Sequence, residues 1–194
     1  MDMPFSFWKN ASPKRKRIYS IIFTLVLVII ATLLGTLVPL SAQEARQIND
    51  SVNQTVTVNK ANGTLVPSIF LNNFGLCLAM FIPLVGAVFG LFVMFNTGVA
   101  LGAELRVQST SASTAAAASI SATTAIIALV FFGLTFVLEF VSYSIGISES
   151  VWLFRRLTQR RWSELKNTGI LIGVVGALLI TGAIVETWVI TTIG

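Results

Sequence analysis

The sequence predicts an all-α fold, a polytopic bundle of membrane helices with about five membrane segments. Three observations predict it: apolar runs of spanning length, a scarcity of charge, and basic residues gathered into two short clusters beside those runs. Of the 194 residues, 55% are hydrophobic and 11% charged, whereas a soluble domain carries about 25% charged residues. Mean hydropathy is +0.84. No charged or Pro/Ser-rich segment is long enough to separate two cores. Residues 18–194 therefore read as one polytopic domain behind a basic N-terminus, residues 1–17.

The first cluster, Lys14 to Arg17, directly precedes the apolar run of residues 18–40. Basic residues followed by about 20 apolar ones describe a spanning helix with its N-terminus on the cytoplasmic side. The run exceeds the core of a cleaved signal peptide, about 7 to 15 residues. Residues 41–66 are polar, and the charges of Glu44, Arg46, Asp50 and Lys60 cancel, as suits an external loop. Asn49, Asn53 and Asn62 each open an N-x-S/T sequon there and are candidate glycosylation sites.

Residues 67–103 are too long for one untilted helix across about 30 Å of hydrocarbon. Pro83 and Gly86 lie in the middle, so a kink or a break is expected. Either this is one bent span behind an interfacial helix holding Asn72 and Asn73, or a pair of half-helices that enter and return. Residues 107–125 are nearly all Ala, Ser and Thr. They are either a flexible connector or the start of a helix, which by propensity begins by about Ala115.

The second basic cluster occupies residues 155–166, where Leu153, Phe154, Leu157 and Trp162 recur at helical spacing. That predicts a segment lying on the cytoplasmic surface. Residues 168–193 form a last span ending outside. A single crossing by residues 69–103 would put Arg106 inside and require the chain to return within residues 141–154, short of the usual 17 to 25 or so. Five segments, with N inside and C outside, is the preferred count.

Net charge is +5. Spread over one face it would suit nucleic acid, but in two clusters beside apolar runs it reads as orientation signals, so nucleic acid is not an expected partner. The bilayer is expected, together with other membrane proteins or a second copy of the chain. There is no histidine, and Cys77 is the single cysteine. Zinc sites of Cys/His type, haem ligation by His and His-based triads are excluded. No catalytic residue, metal ligand or cofactor is expected.

A carboxylate at membrane depth costs a few kcal/mol and normally faces the bundle interior. Glu139 and Glu186 lie within apolar runs, and Glu104 at the edge of one; Glu149 reads as a helix-end acid. On the preferred topology Glu139 and Glu186 both fall in the outer half. They are candidates to share a site with Asn72, Asn73 or Asn96, and two close carboxylates would hold one proton between them. The competing reading is two structural acids that hydrogen-bond neighbouring helices. The pairs Gly86/Gly90, Gly98/Gly102 and Gly169/Gly173 each put two glycines on one helix face, which suits tight packing or a homo-oligomer.

Four places in this order resemble the stage II sporulation protein M family of membrane proteins: IFLNNFG at residues 69–75, FNTGVALGA at 95–103, FVLEF around Glu139, and GAIVETW around Glu186. The family commonly has a His-Gly pair before the acid matching Glu139, and this chain has no His, so no role of that His transfers. The resemblance implies a non-enzymatic scaffold or membrane-remodelling component of a membrane complex. The alternative is a small transporter or channel component using Glu139 and Glu186.

Overall fold

A computed structural model describes residues 11–112 and 122–192, and among them there are six helices and no strand. These are α1 (Pro13–Thr36), α2 (Ala42–Ala61), α3 (Leu65–Met80), α4 (Val85–Ala112), α5 (Ala122–Thr158) and α6 (Glu164–Thr192). Stretches of α1, α4, α5 and α6 are long and apolar enough to cross a membrane; α3, with 16 residues, is shorter, roughly 24 Å at the helical rise. The chain is thus a helical membrane bundle.

Ser12 caps α1 by accepting from the Arg15 N–H at 3.4 Å, and Pro13 supplies a preset φ at the first helical position. Its buried residues Thr24, Val28, Thr32 and Gly35 recur every three or four positions, so one stripe meets the bundle. The other faces carry exposed Ile22, Phe23 and Leu33, which suit hydrocarbon. Thr32 donates to the Val28 carbonyl at 3.0 Å, so its buried hydroxyl is satisfied within the helix.

Residues 41–66, expected as a loop, are mostly helix. Ser41 and Glu44 make a reciprocal capping box at the start of α2. These bonds hold the Glu44 carboxyl below its ordinary range, the side-chain bond to Ser41 contributing most. At the other end Gly63, at φ +66°, lets the Gly63 and Thr64 N–H groups reach the Lys60 and Asn59 carbonyls. Polarity predicted a solvated segment correctly; helix-favouring Ala, Gln, Glu and Arg between good caps made it a helix.

The chain breaks between α3 and α4 near Pro83, as expected. Leu84 takes φ +66°, and a Cβ on Gly86 would press into the Met80 backbone, so the reversal requires glycine there. Cross-contacts give each helix its direction. Asn73, Cys77 and Ile82 meet Glu139, Ser142 and Ser150 in turn, so α3 and α5 run the same way. Arg17 and Ser20 meet Glu149 and Ser148 in turn, so α1 runs opposite to α5. Gly35 and Thr36 meet Gly98 and Gly102, so α4 runs with α1. Thr168 meets Glu149 while Trp188 meets Phe131, so α6 is antiparallel to α5.

This order keeps about five membrane segments and corrects where the chain reverses. Arg106 lies at the end of the bundle away from Arg17, donating to the Val38 and Leu40 carbonyls at 2.9 Å each. No return is needed within residues 141–154, because α5 passes straight through them. The region 155–166 is likewise no separate surface helix. It comprises the last turn of α5, a tight turn with Arg160 at φ +58°, and the first turn of α6. The expected helix start near Ala115 lies outside the described residues.

α5 is the central helix: 56% of its apolar window is inside, against 22–28% for the other three. Residues 142–150 are buried without exception. The core joins Val28 of α1, Cys77 and Met80 of α3, Met94 of α4, Tyr143 and Ile147 of α5, and Leu179 of α6. Small residues make this crowding possible. Gly146 lies against Met80 and Cys77, and Ser142 and Ser144 fold their hydroxyls onto the Leu138 and Phe140 carbonyls at 2.7 and 2.6 Å.

Candidate functional site

Two polar clusters sit on α5. The first lies at the end of the bundle that carries the basic residues. Glu149, 1% exposed, receives both arms of Arg17: Nε donates to Oε2 at 2.9 Å and Nη2 to Oε1. Thr168 of α6 donates to Oε1 at 2.6 Å. A buried carboxylate needs a cation and further donors to offset lost hydration, and here one helix supplies the cation and another the hydroxyl. The planar guanidinium fork suits a two-oxygen acceptor better than a lysine ammonium.

Further charges flank this clasp. Arg17 Nη1 lies 3.7 Å from Glu164, and Arg156 Nε lies 3.9 Å from the same carboxylate. Both guanidiniums stack over the Trp152 ring, at 5.6 Å for Arg17 and 4.5 Å for Arg156. Deeper, Ser148 donates to Ser20 at 2.8 Å, while Ser150 donates to the Ile82 carbonyl at 2.6 Å and accepts from the Ala87 N–H at 3.2 Å. Ser150 thereby ties down both sides of the α3–α4 break, where Pro83 leaves backbone groups to be satisfied.

The second cluster holds the acids singled out in the sequence. Asn73 of α3 donates to Glu139 of α5 at 2.6 Å, and Asn72 donates to Asn73 at 3.1 Å. Glu186 of α6 stands within electrostatic range of Glu139. Glu139, Glu186 and Asn73 are half-buried, and Asn72 is exposed. Asn96 is not brought to them: it is exposed on α4 and bonded to its own Phe92 carbonyl at 2.8 Å. Glu104 is also exposed, near the end of α4 away from Arg17, accepting from Gln108 at 3.0 Å.

The glycine pairs divide three ways. Gly98 and Gly102 meet the backbone of Thr32, Gly35 and Thr36, making a close α1–α4 crossing that includes a third glycine. Gly86 serves the chain reversal, and Gly90 receives Ile147 and Met80. Gly169 and Gly173 have no neighbouring atom within 4 Å of a built Cβ, so they pack against no other described part of the chain. Asn49 and Asn53 lie on α2, the first half-buried and the second exposed, and Asn62 is its C-terminal cap.

Sequence reasoning missed the Arg17–Glu149–Thr168 clasp. Its signal was present in SYSIGISES, where Ser142, Ser144, Gly146, Ser148 and Ser150 alternate along an otherwise apolar helix; such small residues mark close helix approach. Among the described residues no three His, Cys, Asp or Glu side chains converge as metal ligands. Four cavities are described by their walls. One of about 230 Å³ is walled by Lys16, Trp152, Arg155, Arg156 and Gln159, two adjoin α2 near Arg46, and an apolar groove lies between α1 and α5. None of these four is lined by Glu139 or Glu186. No family model, curated protein or solved structure matches this chain.

Proposed function

We propose that the chain is a non-enzymatic membrane scaffold, with its N-terminus cytoplasmic by the positive-inside rule, that holds other membrane proteins or shapes the bilayer around them. The resemblance to the stage II sporulation protein M family points the same way. The observation that carries the reading is how the acids are used. Glu149 joins α1, α5 and α6, and Glu139 joins α3 to α5, each through interhelical hydrogen bonds. Polar groups engaged this way fix helix register and orientation, as a scaffold needs. Affinity capture from native membranes tests it. A stable partner with its own catalytic or structural domain is the expected outcome; recovery of this chain alone, as an oligomer enclosing a polar cavity, overturns it.

A second reading rests on Glu139 and Glu186. The described partners of Glu139 are an amide and a second carboxylate, an arrangement suited to a proton or a small cation. It predicts ion flux in reconstituted vesicles that Glu139→Gln/Glu186→Gln abolishes while partner capture survives. Absence of flux from the unaltered protein removes this reading.

A further inference from the structure

The cavity at the basic end adjoins the first cluster and shares Trp152 and Arg156 with it. Its wall is formed by Lys16 of α1, Trp152, Arg155 and Arg156 of α5, and Gln159 in the following turn, and it measures about 230 Å³. Among the described residues, three cations and an amide line it and no acid does. Trp152 adds a further feature: among the described residues its buried indole Nε1–H has no acceptor. A buried donor left unmade is costly, and an acceptor reaching the ring would relieve it.

Depth in the bilayer selects the occupant. The apolar stretches of α1 and α6 begin just beyond Arg17 and Lys166, and that of α5 ends before Arg155, so the cavity sits where headgroups lie. Val151 and Phe154, exposed on α5 beside it, present apolar surface to the hydrocarbon edge. Trp at this level is the usual interfacial residue, with an apolar ring and a polar N–H. Arg155 and Arg156 offer planar donor forks matched to phosphate oxygens.

We propose that this cavity binds the phosphate headgroup of an anionic phospholipid. Lys16 and Arg155 contact the phosphate, the Trp152 N–H supplies a further donor, and Gln159 meets the glycerol or other polar headgroup atoms. Arg156, already stacked on Trp152 and close to Glu164, aligns the wall. The site links α1 to α5 through a shared anion, beside the Arg17 clasp.

The test uses the full chain in detergent micelles, titrated with dioctanoyl phosphatidylglycerol, dioctanoyl phosphatidylcholine or inorganic phosphate, with bound lipid read by native mass spectrometry. Phosphatidylglycerol is expected to bind one to one and in preference to phosphatidylcholine. Lys16→Gln/Arg155→Gln should weaken it about tenfold or more, at about 1 kcal/mol per basic residue near an anionic surface. Arg160→Gln/Arg161→Gln, which removes the same charge from the adjacent turn outside the cavity, should change it less than about threefold. Trp152→Phe keeps the ring, loses the donor, and should weaken binding a few-fold.

Equal losses in the two double variants overturn the site in favour of diffuse surface charge. Equal binding of the two lipids overturns it too, and displacement of phosphatidylglycerol by equimolar inorganic phosphate overturns the lipid as occupant. If the cavity double variant unfolds, Arg155→Gln alone is compared with Arg160→Gln by the same measurement, with the same outcomes deciding.

Discussion

Glu149 and Glu139 share one face-crossing helix, about 15 Å apart along α5, and they are solvated by the protein in different ways. Glu149 is almost wholly inside and has a guanidinium on both oxygens plus a hydroxyl from a third helix. Glu139 is half-buried, has one amide donor, and faces another acid rather than a cation. The first arrangement neutralises a full charge within the fold; the second does not. Burial alone therefore does not identify a functional carboxylate. The partner's charge separates an acid neutralised within the fold from one tied to its neighbouring helix by a single amide.

Removing the cation from the first acid is the most severe way to break this contrast. Arg17→Met leaves Glu149 buried without its counter-charge and should cost about 3–5 kcal/mol, seen as a lower midpoint of unfolding in mixed detergent micelles. Arg17→Met/Glu149→Leu should regain most of the loss, because no unpaired charge remains. A loss under about 1 kcal/mol for the single change would show that the clasp does not hold the bundle together.

Helix approach can be broken independently of charge. Gly98→Ala drives a methyl into the Thr32 backbone on α1 and should cost about 1–3 kcal/mol by the same unfolding measurement. Gly173→Ala meets nothing within 4 Å and should stay within about 0.5 kcal/mol of the parent. Equal effects would mean that the α1–α4 crossing is not tight.

The second acid should respond mildly. Glu139→Gln keeps a carbonyl acceptor for Asn73 and should alter stability by less than about 1 kcal/mol. Asn73→Leu, which removes the interhelical bond, should cost about 0.6–2 kcal/mol. A drop at Glu139→Gln as large as that at Arg17→Met would erase the distinction between the two acids.

The smallest effect lies outside the bundle, at the exposed cap of α2. The folded carboxyl of Glu44 is held below its ordinary value, so its contribution is complete above that ordinary value and is lost as pH falls through the lower folded one. Backbone amide chemical shifts of Ser41 and Glu44 should move with that titration and indicate fraying of the first turn. In Glu44→Gln the shifts should stay flat over the same interval.

Much of the architecture was legible because it follows from burial of apolar surface. The spans of α1 and α6 could be read from hydropathy, and the break near Pro83 from the missing N–H. The Asn73–Glu139 bond joined two residues noted for the same reason, polar groups within apolar runs. The helix over 42–61 was also legible in principle, since Ser41 and Glu44 stand at capping-box spacing, but polarity was read as a loop. Asn96 and Glu104 were grouped with Glu139 on depth alone. Depth says nothing about azimuth, and both are exposed on α4 with partners on their own helix.

By itself the sequence determined the solvent: with so little charge and such long apolar runs, the chain must lie in a bilayer, as helices whose backbone bonds close internally. It also determined that the two basic clusters flank spans. Only the tertiary structure decided that the clusters meet at one end, that α5 is the central helix, and that Glu149 is a buried tie between three helices. Those facts depend on which helix faces which. Hydropathy cannot supply that in a membrane, where lipid and protein interior are equally apolar; close approach at Gly35, Gly98 and Gly146 and a few directed hydrogen bonds do.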